Sequence, residues 1–153
     1  MPSDPSILNA SLKDLFQQQL HAVLATADAA GPYASLVAFA ASSDLRQLVF
    51  VTGRNTRKFK NLLASGTAAL LIDNRVNTST DLTGALAVTV LGRARESEGE
   101  ERARLRALLL VRHPGLADFV GAADTAVVAV TVERYLLVDQ FQRVQALAAA
   151  DLS

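Results

Sequence analysis

The sequence predicts a mainly β (α+β) protein, an antiparallel barrel with peripheral helices, and three observations carry that expectation. Short β-prone runs recur along the chain, bounded by Gly, Pro, Asn and Asp. Most neighbouring runs are joined by hairpin-like connections and do not alternate regularly with helices, which disfavours a doubly wound parallel sheet. Half of the 153 residues are apolar, enough to bury one core in a single domain spanning residues 1–153.

Residues 1–10 read as a flexible lead, with two prolines and an aspartate among the first six positions. Ser11 then stands as an N-cap with Asp14 three residues on, and Leu12, Leu15, Phe16 and Leu20 recur at helical spacing. His21 to Asp28 is a strand, broken by Ala30-Gly31-Pro32, and Tyr33 to Ala40 returns as its hairpin partner. Ser43-Asp44 marks a turn before the strongly β-prone run Leu48 to Thr52. A helix from about Thr56 to Ser65 carries Phe59, Leu62 and Leu63 on one face and meets Gly66 where a C′ glycine belongs.

Ala68 to Asp73 is the next strand, and the polar stretch Asn74 to Asp81 is a loop. Gly84 to Ala94 follows as a long strand. Ser97-Glu98-Gly99-Glu100 reads as a capping box for a helix running to about Val111, stopped by His113-Pro114-Gly115. The five Arg and four Glu from Arg93 to Arg106 nearly cancel and suit a solvated face. A short apolar piece, Leu116 to Val120, precedes the last long strand, Ala126 to Val138. The total is about six strands and two or three helices.

Charge and composition exclude whole classes of function. Fifteen Lys plus Arg balance fifteen Asp plus Glu, so no global field draws the chain to nucleic acid or an anionic membrane. Ala29 to Ser43, the longest nearly uncharged stretch, contains Gly, Pro and Ser and is shorter than the roughly 20 apolar residues of a spanning helix. Cysteine is absent, which removes disulfides, thiolate zinc sites, iron–sulfur ligation and Cys nucleophiles and fits a reducing, cytoplasmic setting. There is no G-x-S-x-G elbow, Walker loop, G-x-G-x-x-G or H-E-x-x-H. His21 and His113 are the only histidines, with no carboxylate pattern near either, so neither a metal site nor a Ser-His triad is expected.

Three segments could carry chemistry. Arg54-Asn55-Thr56-Arg57-Lys58-Phe59-Lys60-Asn61 places four cations at the start of a helix, where exposed N–H groups already present partial positive charge. A phosphate bound there would accept hydrogen bonds from the helix N-terminus, the Thr56 hydroxyl, Arg57 and Lys58; a solvated basic turn paired with surface carboxylates produces the same pattern. The run Tyr33 to Phe39 is rich in small residues, which let a flat ligand approach the backbone of a strand or let a tight barrel pack. Asp73-Asn74-Arg75-Val76-Asn77, leading to Asp81, clusters polar groups where a strand opens into a loop, as ordinary turn chemistry also does.

Taken in order, these segments resemble the FMN-binding split-barrel family related to pyridoxamine 5′-phosphate oxidase, from about Leu12 to Leu147. The carriers are Leu24-Ala25-Thr26, Gly31 through Val37, Phe50-Val51-Thr52 followed by Thr56-Arg57-Lys58-Phe59 and Asn61-Leu62, Asp73-Asn74-Arg75, and Tyr135-Leu136-Leu137-Val138 with Phe141-Gln142-Arg143-Val144. The resemblance implies a six-stranded antiparallel split β-barrel, paired as a homodimer with FMN at the subunit interface. It implies that Arg57 and Lys58 hold the FMN phosphate, with Thr56 the adjacent hydroxyl. Ser35, Leu36, Val37 and Ala38 match the strand that meets the flavin ring and ribityl chain, with Val51 and Thr52 beside it. Asn74, Arg75 and Asp81 match contacts from the partner subunit.

The sequence departs from the true oxidases in carrying no C-terminal Arg-x-His motif, and in having Ser35 and Ala40 where those begin and end the flavin strand with Arg and Lys. Their flavin-contacting Gln is replaced near Ala87. The resemblance therefore implies an FMN-binding oxidoreductase whose small-molecule substrate the sequence does not name, with a vitamin B6 phosphate expected to be a poor one and a deazaflavin in place of FMN left open. Its alternative is a non-catalytic flavin- or haem-binding protein for storage or sensing.

Overall fold

A proline near the N-terminus starts a helix here. In the computed structural model, which describes residues 3–139 and 143–153, α1 spans Pro5–Gln18, with the Asp4 carboxylate accepting from the Ser6 N–H at 2.7 Å. Pro5 occupies the first helical position, where a missing N–H costs nothing. The helix thus begins ahead of the expected Ser11 cap and takes in most of the stretch expected to be a flexible lead. It buries Leu8, Leu12, Leu15 and Phe16. β1, His21–Asp28, has the expected bounds. β2, Gly31–Ala38, starts earlier than expected because Gly31, at φ +116°, carries the tight return. A two-residue strand, β3 (Ala40–Ala41), precedes β4 (Gln47–Gly53).

α2, Arg57–Ser65, follows the sequence signals: Thr56 caps its N-terminus and Gly66 closes it in the left-handed conformation. β5 is Thr67–Asp73, a short α3 is Asp81–Gly84, and β6 is Ala87–Glu96. α4, Gly99–Arg112, is present without the expected capping box. Ser97 is fully buried and its hydroxyl donates to the Val127 carbonyl at 2.7 Å, so it serves the sheet and not the helix. A 3₁₀ turn at Pro114–Leu116 leads into α5, Ala117–Gly121. β7 runs Thr125–Asp139 and β8 runs Arg143–Ala148. Among the described residues eight strands therefore replace the six expected, the additions being β3 and the mostly exposed edge strand β8. Phe141 and Gln142, two of the residues that carry the resemblance, lie outside the described residues.

All strand pairings are antiparallel, in the order β2-β1-β5-β6-β7-β4-β3, with β8 also on β7. β6 takes one edge of β7. The other edge is shared: Thr125–Thr131 pairs with β4 and Arg134–Asp139 with β8. The sheet curls around a main core in which Leu12, Leu15 and Phe16 of α1 meet Phe39, Phe50, Leu70 and Tyr135. The Tyr135 hydroxyl donates to the Leu45 carbonyl at 2.7 Å, and burial raises its pKa above that of a free phenol. A second cluster packs Leu105 and Leu109 of α4 and Val120 of α5 on Val49, Val51, Val127 and Ala129.

The β6–β7 register shifts between Leu91 and Gly92, so that Leu91 faces Arg134 and Gly92 faces Val132. Glu133 is the extra residue of this bulge. A Cβ at position 92 would collide with the Thr131 carbonyl. Gly92→Ala should therefore cost about 1–3 kcal/mol, lowering Tm by roughly 2–12 °C. Gly84→Ala, which meets open space, is the control and should leave Tm unchanged or slightly raised.

Candidate functional site

The curl brings β2 alongside β4 without pairing them, so the free edge of β2 faces an open seam. The Phe39 N–H donates to the Leu20 carbonyl at 3.3 Å and the β1–β2 register continues from there. Antiparallel alternation then turns the main-chain groups of Ser35 and Val37 toward β1 and those of Leu36 and Ala38 toward the seam. The seam is a cleft of about 420 Å³, within the size range of small-molecule sites. Leu36, Val37 and Ala38 form one wall and Val51, Thr52 and Gly53 another. Asn55, Thr56 and Lys58 close one end, while Leu116, Phe119 and Asp124 complete the lining.

At the α2 end the Thr56 side chain is committed to its cap. It donates to the Gly53 carbonyl at 2.9 Å, accepts from the Phe59 N–H at 3.3 Å, and lies 2.9 Å from the Thr52 hydroxyl. The N–H groups of Arg57 and Lys58, in the first helical turn, have no carbonyl within the helix to bind. Asn61, also on α2, donates to the Thr26 hydroxyl of β1 at 3.1 Å, and both residues are buried. This bond ties the helix, and with it the cleft end, to the barrel.

The four cations of this segment part company, and Lys60 is exposed and does not line the cleft. Arg54 binds Glu96 through Nε at 3.0 Å and Nη2 at 2.6 Å and donates Nη1 to the Ala123 carbonyl at 2.7 Å. Glu96 raises the pKa of the guanidinium, which in turn lowers that of the carboxyl. Arg57 pairs with Asp28 at 3.1 and 3.2 Å and lies 4.5 Å from the centre of the Tyr33 ring. The Arg57 hydrogen bond and the Ala30 N–H lower the Asp28 pKa. Among the described residues Lys58 has no carboxylate partner, and it is the cation that lines the cleft.

The sequence profile of pyridoxamine 5′-phosphate oxidase matches residues 8–139. The chain belongs to the pyridoxamine 5′-phosphate oxidase family. Its fold recurs in a heme binding protein from Mycobacterium smegmatis, 21% identical at a TM-score of 0.82, the match covering 99% of this chain and 60% of that one. It recurs in HutZ, the heme storage protein from Vibrio cholerae, 19% identical at a TM-score of 0.70 over 81% of this chain and 89% of that one. A FAD-binding protein from Mesorhizobium loti is 16% identical at a TM-score of 0.67, with 84% of this chain and 90% of that one covered. No curated protein matches the sequence significantly. No helix among the described residues is long and apolar enough to cross a membrane.

Of the site residues expected from the sequence, Leu36, Val37, Ala38, Val51, Thr52, Thr56 and Lys58 come together in the cleft. Ser35 is on the same strand, its hydroxyl buried and without a hydrogen-bond partner among the described residues. Arg57 stands beside the cleft, held by Asp28 and Tyr33. Asn74, Arg75 and Asp81 lie elsewhere on the single chain. Asn74 accepts from the Leu86 N–H at 2.8 Å, and Asp81 accepts from the Val76 and Thr78 N–H groups, which lower its pKa. Arg75 and Asp81 line a separate pocket of about 310 Å³ with Leu71, Leu82 and Asp139.

Sequence reasoning missed Leu116, Phe119 and Asp124 as cleft residues. The only signal was an apolar stretch, Leu116 to Val120, too short to build a core helix. Removing the buried Asn61 amide by Asn61→Ala leaves the Thr26 hydroxyl without its partner. That substitution should cost about 1–3 kcal/mol, seen as a lower urea midpoint with an unchanged slope.

Proposed function

We propose that this protein is an FMN-binding oxidoreductase that acts on a small molecule. The observation that carries the reading is the convergence, on one cleft, of a strand edge with free main-chain groups, apolar walls and a helix N-terminus bearing an uncommitted lysine. Such a set suits a ligand with a flat polar heterocycle at one end and a phosphate at the other. In this reading Lys58 and the first N–H groups of α2 hold the phosphate, with Arg57 alongside. Leu36 and Ala38 offer main-chain groups to the ring edge. FMN, when bound, would supply the hydride or electron transfer, so the protein's task is to position it and shield it from water. The haem reading finds less support in the cleft: none of the described residues lining it is His, Cys, Met or Tyr, the side chains that hold haem iron.

The proposal includes a homodimer with the site at its interface and a cytoplasmic setting, for which the absence of cysteine is the support. Register places Leu36, Val23, Leu71, Thr89 and Leu136 in one row across β2, β1, β5, β6 and β7. Leu36 and Leu71 of that row are exposed, at 69% and 37%. A second copy would cover this face and bring Asn74, Arg75 and Asp81 of the partner toward the cofactor. Sedimentation at micromolar concentration should give twice the chain mass, and Leu71→Arg should yield a monomer with weakened FMN binding. A monomer that binds FMN as tightly as the wild type would refute the shared site.

The phosphate assignment is tested by flavin fluorescence titration. Lys58→Ala should weaken FMN roughly ten- to a hundredfold, the worth of about 1.5–3 kcal/mol for a charge-assisted bond. Arg57→Ala should act in the same direction but less, because Asp28 already neutralises that guanidinium. Riboflavin, which has no phosphate, should bind both variants as it binds the wild type. FMN affinity unchanged by Lys58→Ala would remove the assignment.

A further inference from the structure

We infer that Phe119 is the ring-selecting residue of the cleft, laid against the flat face of the bound heterocycle from the α5 side. The inference rests on the flavin reading above and adds to it a residue that the sequence motifs did not supply. Phe119 is the one aromatic side chain among the described residues lining the cleft. Phe16, Phe39, Phe50 and Phe59 are at most 4% exposed, whereas Phe119 is 44% exposed. An aromatic ring left half in water, at the mouth of a cleft whose β2 wall presents the 69%-exposed Leu36, is apolar surface waiting for a partner.

The exposure does not come from a loose segment. The span from Pro114 to Ala123 is fastened at both ends and in the middle. At its start the His113 Nε2 lies 2.9 Å from the Phe39 carbonyl, directly after the β2 wall. At its end Arg54 holds the Ala123 carbonyl through Nη1 at 2.7 Å, and the Arg54 N–H donates to the Asp124 carbonyl at 2.8 Å. Between these, Val120 is 1% exposed and sits in the second core with Leu105 and Leu109. Burying Val120 fixes α5 and leaves its neighbour Phe119 at the cleft. A ring carried on a fixed support can discriminate by shape, because nothing has to be ordered when the ligand arrives.

A contact with the ring and a contact with the phosphate have different signatures, and that difference makes the test. Phe119→Ala should weaken FMN and riboflavin by the same factor, roughly tenfold for a lost stacking face, while Lys58→Ala weakens FMN alone. Phe119→Tyr should restore both affinities to within about twofold, since the face is kept. Phe119→Trp should bind both flavins and quench the emission of the bound flavin below that of the wild-type complex. Circular dichroism of the three variants checks that α5 and the barrel persist. If Phe119→Ala binds both flavins as the wild type does, or Phe119→Trp leaves bound emission unchanged, the inference is overturned while the Lys58 result leaves the flavin reading standing. If the wild-type chain binds neither flavin, the flavin reading fails, and the inference with it.

Discussion

The fold depends on one strand changing neighbours half-way along its length. β7 keeps β6 on one edge from Val128 to Val138, but on the other edge it gives its first half to β4 and its second half to β8. Val132 is the last residue held by β4: its N–H donates to the Arg46 carbonyl at 2.9 Å, one step beyond the Gln47–Thr131 pair, and β8 takes over from Arg134. On the opposite edge, at the same level, the Gly92 bulge absorbs Glu133. A bulge sharpens the local twist, so the two halves of β7 can point their outer partners in different directions. β4 and β8 part there, and glycine at position 92 lets β6 follow the bend without the clash that a Cβ would make with the Thr131 carbonyl.

The seam that becomes a cleft follows from the other end of the same sheet. β2 is an edge strand brought close to β4 by the curl but left unpaired, and exposed strand edges are a liability that proteins usually cover. Here the edge faces a cleft walled by β4, the α2 turn and α5. The turn after β4 is held by Arg54, which reaches both Glu96 on β6 and the main chain before β7. Arg54 thus spends its charge on architecture, and Arg57 spends part of its own on Asp28. Of the basic cluster, Lys58 is the member left facing the cleft.

Where local signals act alone, the sequence was readable. β1 and the helix from Thr56 to Gly66 could be read almost to the residue, because alternation, a threonine cap and a left-handed glycine are local devices. α1 starts inside the stretch expected to be a flexible lead because the Asp4 cap makes Pro5 a first-turn proline. The Ser97 capping box failed for a tertiary reason: the serine hydroxyl found a better acceptor in Val127 than in its own helix. β8 carries too little alternation to declare itself, with Leu147 its one buried residue. The cleft was legible where its residues lie on β2, β4 and the α2 turn, which the motifs mark. Leu116, Phe119 and Asp124 reach it through tertiary contacts, the docking of Val120 into the second core and the Arg54 bonds to the Ala123 and Asp124 carbonyls, which no local pattern encodes.

The division of polarity within the cleft limits what its own side chains can do. Among the described lining residues the only ionisable groups are Lys58 and Asp124. Both belong to the α2 end, since the Arg54 N–H that precedes α2 binds the Asp124 carbonyl. Leu36, Val37, Ala38, Val51, Leu116 and Phe119 make the rest of the surface largely apolar. A cleft built this way has no histidine to shuttle protons and no carboxylate among its apolar walls to act as a base. For the proposed ligand it would offer orientation: charge to anchor one end, and apolar faces to exclude water from the other. On the proposed reading the reacting group would be brought in by the ligand, and the protein would contribute its position and its shelter.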